Sequence, residues 1–188
     1  DIVGRHAWDR GGNLRRALGP AGAGATPEER LTLAEGNANR SESGQSNGSL
    51  MRISPLGIFY AGRPAEGAEA ARAHSRLTHY NPICQEACAA YVAAISVAVA
   101  EQADAHRCYA VALEHARHPD VRALLERAAV APPTDYHTLM GSVRIAFQNA
   151  FYQLLHAPNL EAGIRATVEQ GGDTDTTGAI AGALLGAV

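Results

Sequence analysis

The chain contains no lysine; all 16 of its basic residues are arginine. That absence excludes every mechanism built on a lysine amine, including Schiff-base chemistry and the Walker phosphate loop. Aromatic residues are also scarce, at 5% with a single tryptophan, Trp8. Three cysteines, an odd number, do not make a disulfide framework and point to a reducing compartment, so a cytoplasmic location is expected. A net charge of -3 and a pI near 6.2, with no basic block, argue against nucleic acid as the main partner. No apolar run, residues 93–100 included, reaches the length of a membrane span, and residues 1–10 are too polar for the apolar stretch of a signal peptide. Neither a nucleic-acid partner nor a membrane partner is expected.

What the chain has in excess is alanine, roughly one residue in five against a much lower average usage. Alanine has the best helix propensity, so the composition leans all-α. A length of 188 residues supports one domain with a core able to fold unaided. The chain opens on Asp1 and stops at Val188 inside an apolar helical pattern (AIAGALLGAV), and a segment of a longer protein is the expectation.

Helical patterns cover residues 64–75, 83–102, 106–117, 120–130, 141–156 and 160–169, with a last one from Thr176 onward and a short one at 13–18. The second is apolar nearly all round, which predicts burial. Residues 19–47 are loop-rich, dominated by Gly, Ser, Asn and Pro, although Thr26-Pro27-Glu28-Glu29 reads as a helix N-cap with proline at the first helical position. Residues 49–57 are apolar around Arg52, and Pro55 limits any regular element there. Met51 reads as core. No stretch alternates long enough for a convincing strand.

The segment GGDTDTTGAIAGALLGA, residues 171–187, carries the chemistry. Asp173, Asp175 and Thr176 lie at the junction of a glycine turn and a helix, and their hard oxygens suit Mg²⁺, Mn²⁺ or Ca²⁺ and not Zn²⁺. A second reading stays open, in which they only cap the helix and complement its dipole. An EF-hand is excluded, because its twelfth position would be Leu184 where a bidentate Glu is required. Gly178, Gly182 and Gly186 repeat every four residues, and such a row predicts another backbone packed closely against that face. Cys84 and Cys88, one helical turn apart, read as small buried thiols, since their spacing to His106 and Cys108 suits no soft-metal site.

This segment resembles the C-terminal metal motif of the ADP-ribosylglycohydrolase family, which includes the dinitrogenase-reductase-activating glycohydrolases and the J1 crystallins. SNGSLMRISPLGI (46–58) is similar to that family's Asn-Gly-x-x-Met-Arg segment, LTHYNP (77–82) to its Thr-His motif, and GSVRIAFQNAFYQLLHAPNLEAGIRATVEQ (141–170) to the helix pair before the metal motif. The motifs stand in the family's order. The resemblance implies a compact multi-helix orthogonal bundle over residues 1–188, as a partial domain. It also implies Mg²⁺-dependent hydrolysis of the ADP-ribosyl C1″ bond on modified side chains or related compounds, with two ions in the complete site and Mn²⁺ as an alternative. The expected partner is an ADP-ribosylated protein or an ADP-ribose-type small molecule.

By match to the motifs, Asp173, Asp175 and Thr176 would be metal ligands, with Asp175 also catalytic. Asn47 and Gly48 would contact the phosphates or ribose, the alternative being a plain Asn-Gly turn. His79 would lie near the ligand, or serve as a cap or packed surface residue. Asn81 stands where the family often has Asp. Asp9, in Asp9-Arg10-Gly11, resembles a segment whose acid approaches the reacting ribose, against the alternative of a solvated turn. Arg52 is either a buried structural arginine or a cleft residue. The family's Thr-Asp-Asp triplet is absent from this chain. A non-catalytic ADP-ribose-binding or crystallin-like member is therefore the alternative function, and a helical interaction module the third.

Overall fold

The 20-residue apolar helix at the centre of the chain organises everything else. The computed structural model describes residue 17 and residues 25–39 and 44–188. Among these are nine α-helices: α1 (Pro27–Asn39), α2 (Ser54–Phe59), α3 (Pro64–Arg76), α4 (Pro82–Glu101), α5 (Ala105–His115), α6 (Pro119–Ala128), α7 (Val143–His156), α8 (Leu160–Glu169) and α9 (Thr174–Leu185). A 3-10 turn, Leu50–Arg52, precedes α2. The described residues hold no strand, and their one isolated bridge pairs Ser46 with Ser142. The fold is all-α, as the composition requires.

Asn81 starts α4 by accepting from the Ile83 N–H at 2.9 Å, with Pro82 at the first helical position, where its missing N–H costs no bond. Gln102 ends the helix in the left-handed conformation (φ 51°). Fourteen of its residues are buried. By length and composition alone α4 is apolar enough to cross a membrane, which the shorter run 93–100 did not suggest, but its apolar window is 83% buried inside the fold. Small side chains explain how it holds α2, α3 and α5 around it. Ala68 and Ala71 of α3 are fully buried, and a Cβ on Gly57 of α2 would stand 2.5 Å from Ile95 Cγ2. Packing at this density leaves no room for a larger residue.

The second half is a layer of α7, α8 and α9, joined to α4 by the buried Tyr91 hydroxyl, which donates to the Ile180 carbonyl at 2.7 Å. Phe147 and Phe151 pack against each other within α7, their centroids 4.9 Å apart.

Several sequence expectations change here. Within the loop-rich stretch 19–47, residues 27–39 form α1, started by reciprocal bonds between Thr26 and Glu29: the Glu29 N–H donates to Thr26 Oγ1 at 3.2 Å and the Thr26 N–H to Glu29 Oε2 at 2.9 Å. Pro55 does not prevent structure in 49–57, because it lies in the first turn of α2. Met51 is 50% exposed and not core. The glycine row of α9 meets no backbone of another helix: Cβ atoms on Gly178 and Gly182 would lie 3.7 Å from Val168 and 3.2 Å from Ile164 side chains of α8, and one on Gly186 would lie 3.0 Å from the Gly182 carbonyl oxygen of α9 itself. The tight glycine at this interface is on the opposite helix, where a Cβ on Gly163 would stand 2.6 Å from Leu185 Cδ1. The helix expected at 13–18 lies outside the described residues except for Ala17, which is helical and buried.

Candidate functional site

The two glycines before α9 are demanded by their surroundings. Gly171 and Gly172 have φ of 75° and 71°, a region that favours glycine. A Cβ on Gly172 would lie 2.1 Å from the Tyr136 carbonyl oxygen, and one on Gly171 would lie 2.7 Å from His137 Cε1. The turn therefore passes directly against the Tyr136 backbone and the His137 ring and delivers Asp173 to the start of α9.

Asp173 occupies the N-cap position, yet its side chain makes no capping hydrogen bond. Its Oδ2 instead accepts from Asn47 Nδ2 at 2.7 Å. The purely capping reading of Asp173 is thereby set aside. Asp175, one residue into the first turn of α9, is exposed. The Thr176 N–H and the adjacent Asp173 carboxyl hold its own carboxyl below the ordinary value. Thr176 is half-buried beside them.

Asn47 is itself held from several sides. Its N–H donates to the Gly141 carbonyl at 2.8 Å, its carbonyl accepts from Met51, and Val143 donates to the Gln45 carbonyl at 2.8 Å. The loop 45–48 is thus stitched to the entry of α7, and the Asn47 side chain is 6% exposed. Gly48 comes close to His79, since a Cβ there would lie 2.9 Å from Nε2.

His79 is 3% exposed, so it is no surface residue. Arg52 Nη1 donates to the Gly48 carbonyl at 3.1 Å and Nη2 to Thr78 Oγ1 at 2.5 Å. Thr78 Oγ1 and His79 Nδ1 are 2.8 Å apart, as are His79 Nε2 and Ser46 Oγ. Guanidinium can only donate, so Thr78 Oγ1 accepts from Arg52, and the His79 ring is bonded through Nδ1 to Thr78 and through Nε2 to Ser46. Burial, reinforced by the Arg52 charge, lowers the His79 pKa to about 4, so the ring is neutral. Arg52 is half-buried, and its hydrogen-bond partners here are a carbonyl and a hydroxyl; it ties Gly48 to Thr78, which favours the structural role over the cleft role.

The donor set fits a hard divalent cation as part of a site. Asp173, Asp175 and Thr176 supply two carboxylates and a hydroxyl at one helix start, and Asp173 is turned from its capping bond toward Asn47. Among the described residues no group of three His, Cys, Asp or Glu side chains could hold a metal ion. Asp9 lies outside the described residues. Cys84, Cys88 and Cys108 are free and buried, as their setting in an alanine-rich core predicts.

Of the sequence candidates, the fold brings Asn47, Gly48, His79 and Asp173 into one hydrogen-bonded neighbourhood, with Asp175 and Thr176 alongside. Ser46 and Thr78 belong to it too, and sequence reasoning did not single them out, although both stand in the motif strings that contain Asn47 and His79. Tyr136 and Asn149 had no sequence signal. A groove of about 570 Å³ lies beside Ser46, lined by Gln45, Leu139, Met140, Ser142 and Arg144 among others.

The ADP-ribosylglycohydrolase family matches this chain over residues 3–188. A solved structure described as an ADP-ribosylglycohydrolase-related protein complex superposes with a TM-score of 0.74 at 27% sequence identity, over 94% of this chain and 58% of that one. The chain thus spans somewhat more than half the length of that relative. No curated protein matches it.

Proposed function

The chain belongs to the ADP-ribosylglycohydrolase family, and from that premise we propose that the protein hydrolyses the C1″ glycosidic bond of an ADP-ribosyl group with the help of Mg²⁺. The observation that carries the reading is the Asn47–Asp173 hydrogen bond, which joins the Asn-Gly loop to the acidic turn. The substrate is an ADP-ribosylated protein side chain or a related ADP-ribosyl compound.

Asp173, Asp175 and Thr176 would hold the cation, with Mn²⁺ as a substitute. Bound there, it would supply Lewis-acid polarisation and a template for water and the ribose diol. The chain's own groups prepare the rest. Asn47 fixes one carboxylate, Gly48 would present its backbone to phosphate or ribose, and neutral His79 bonds Ser46. The exposed Asp175 carboxylate would stabilise positive charge developing on the ribosyl ring. Asp9 is kept as a candidate for approach to the reacting ribose.

The test is release of ADP-ribose from a modified substrate by the complete gene product with Mg²⁺, comparing wild type with Asp175→Ala. Equal rates would remove Asp175 from the mechanism.

One observation favours a second reading, in which the protein binds ADP-ribose without cleaving it: the two aspartates have no third acidic, His or Cys partner among the described residues. That reading expects ADP-ribose binding by calorimetry with no product release.

A further inference from the structure

The loop 135–141 is anchored from beneath by three polar side chains that the proposed reaction does not use. Tyr136 is 6% exposed, Asn149 is 0% and Thr167 is 1%. The Tyr136 hydroxyl donates to Asn149 Oδ1 at 2.8 Å, Asn149 Nδ2 donates to Thr167 Oγ1 at 3.0 Å, and the Thr167 hydroxyl donates to the Gly163 carbonyl at 2.8 Å. The single Thr167 proton goes to the Gly163 carbonyl, so Asn149 presents Nδ2 to Thr167 and Oδ1 to Tyr136, which settles the orientation of its amide. A buried polar chain satisfied in this way admits one arrangement of the elements it joins.

Those elements all bear on the acidic turn. Tyr136 presents its backbone carbonyl to Gly172 in the contact that would bring a Cβ to 2.1 Å. Thr167 sits in the last turn of α8, and its carbonyl accepts from the Gln170 N–H at 3.3 Å just before Gly171. Gly163, whose carbonyl closes the chain, packs against Leu185 at the far end of α9. The turn 171–172 is therefore held on one side by the Tyr136 backbone and on the other by the end of α8, and one buried hydrogen-bond chain joins the two supports.

We propose that Tyr136, Asn149 and Thr167 are positioning residues for the Asp173–Asp175 pair, acting through the Tyr136 carbonyl and the end of α8 on the Gly171–Gly172 turn. The inference rests on the reading of that pair as a divalent-cation site. All three are buried, and none is among the residues proposed to hold the cation. Their effect is to fix where α9 begins and so the separation and aim of its two carboxylates. Burial pushes the Tyr136 pKa up to about 12, which keeps its hydroxyl a donor throughout the working pH range.

The experiment is a Mn²⁺ titration, followed by the loss of the free-ion paramagnetic resonance signal, on the complete gene product. Wild type is compared with Tyr136→Phe, Thr167→Val, Thr167→Ser and Asp175→Asn at a temperature where circular dichroism shows each of them folded. Tyr136→Phe and Thr167→Val should each weaken Mn²⁺ binding about tenfold, the scale at which outer-shell partners act. Thr167→Ser, which restores the hydroxyl, should keep wild-type affinity. Thr167→Val is nearly isosteric, so a folded protein is expected even if the melting temperature falls. If both hydroxyl-deleting variants bind Mn²⁺ like wild type while melting earlier, the network is structural only and the inference is overturned. If Asp175→Asn binds like wild type, the cation reading itself fails, and the inference falls with it.

Discussion

Asn47 and Asp173 stand 126 positions apart in the chain and meet through a single hydrogen bond of 2.7 Å, the amide donating to the carboxylate. The bond turns the Asp173 carboxylate away from capping its helix and toward the Asn-Gly loop, where Asn47 is buried. Removing the amide with Asn47→Ala should lower cation affinity and turnover by about 10- to 100-fold, as for other outer-shell partners, and destabilise the fold by about 1–3 kcal/mol. Calorimetric titration with Mg²⁺ and a thermal melt measure the two effects. An unchanged affinity would separate the loop from the acids.

His79 makes stability pH-dependent. Its folded pKa of about 4 lies below the ordinary 6.5, so the unfolded chain takes up a proton first as pH falls. Stability from this group is complete above pH 6.5 and is lost across the window down to about 4, amounting to about 3 kcal/mol. Melts of wild type and His79→Gln at pH 7, 6 and 5 test this. The wild type should lose more than the variant at each step, and parallel curves would contradict the assignment.

Gly172→Ala meets two penalties at once, a left-handed φ of 71° and a backbone oxygen at 2.1 Å. The turn must shift, so both the melting temperature and Mg²⁺ binding should fall, the strain alone amounting to about 1–3 kcal/mol. Gly178→Ala is the control. Its Cβ would meet Val168 at an ordinary 3.7 Å, and helix propensity should make it neutral or slightly stabilising, by up to about 1 kcal/mol.

Arg72 and Glu86 form a two-point ion pair between α3 and α4, at 2.6 and 3.1 Å, with side chains 10% and 12% exposed. Glu86 also accepts from the Arg117 N–H, and Arg72 donates to the His115 carbonyl, so the pair locks the α5–α6 connection as well. Glu86→Ala leaves a buried guanidinium without this partner and should cost about 3–5 kcal/mol. Denaturant unfolding measures it. A loss of less than 1 kcal/mol would mean that Glu69, which already accepts from Arg72 Nη1 at 3.1 Å, suffices to hold the guanidinium.

Most helix positions were legible in the sequence because their causes are local. Pro64 opens its helix where the pattern begins, Pro82 and Pro119 open theirs one residue before it, and the apolar run through α4 reads as buried from its own composition. The cap at Thr26 is equally local and marks the start of α1, but the Asn- and Ser-rich composition around it hides how far the helix runs. The glycine row of α9 predicted close contact but not the identity of the neighbour. Ile164 and Val168 belong to a different helix, and how near they stand depends on packing, not on the row itself.

An all-α chain without lysine and an acid pair at the junction of a glycine turn and a helix are legible from the order of residues alone, because composition, helix propensity and spacing are local. Packing settles what that order leaves open: Asp173 faces Asn47 instead of capping its helix, His79 is buried and neutral between Thr78 and Ser46, and Tyr136 lies against Gly172. Asp173 with Asn47, His79 with Ser46, and Tyr136 with Gly172 each join residues more than thirty positions apart. A hydrogen bond needs its partners within a few tenths of an ångström, and that closeness exists only after the α4 core and the α7–α9 layer have packed.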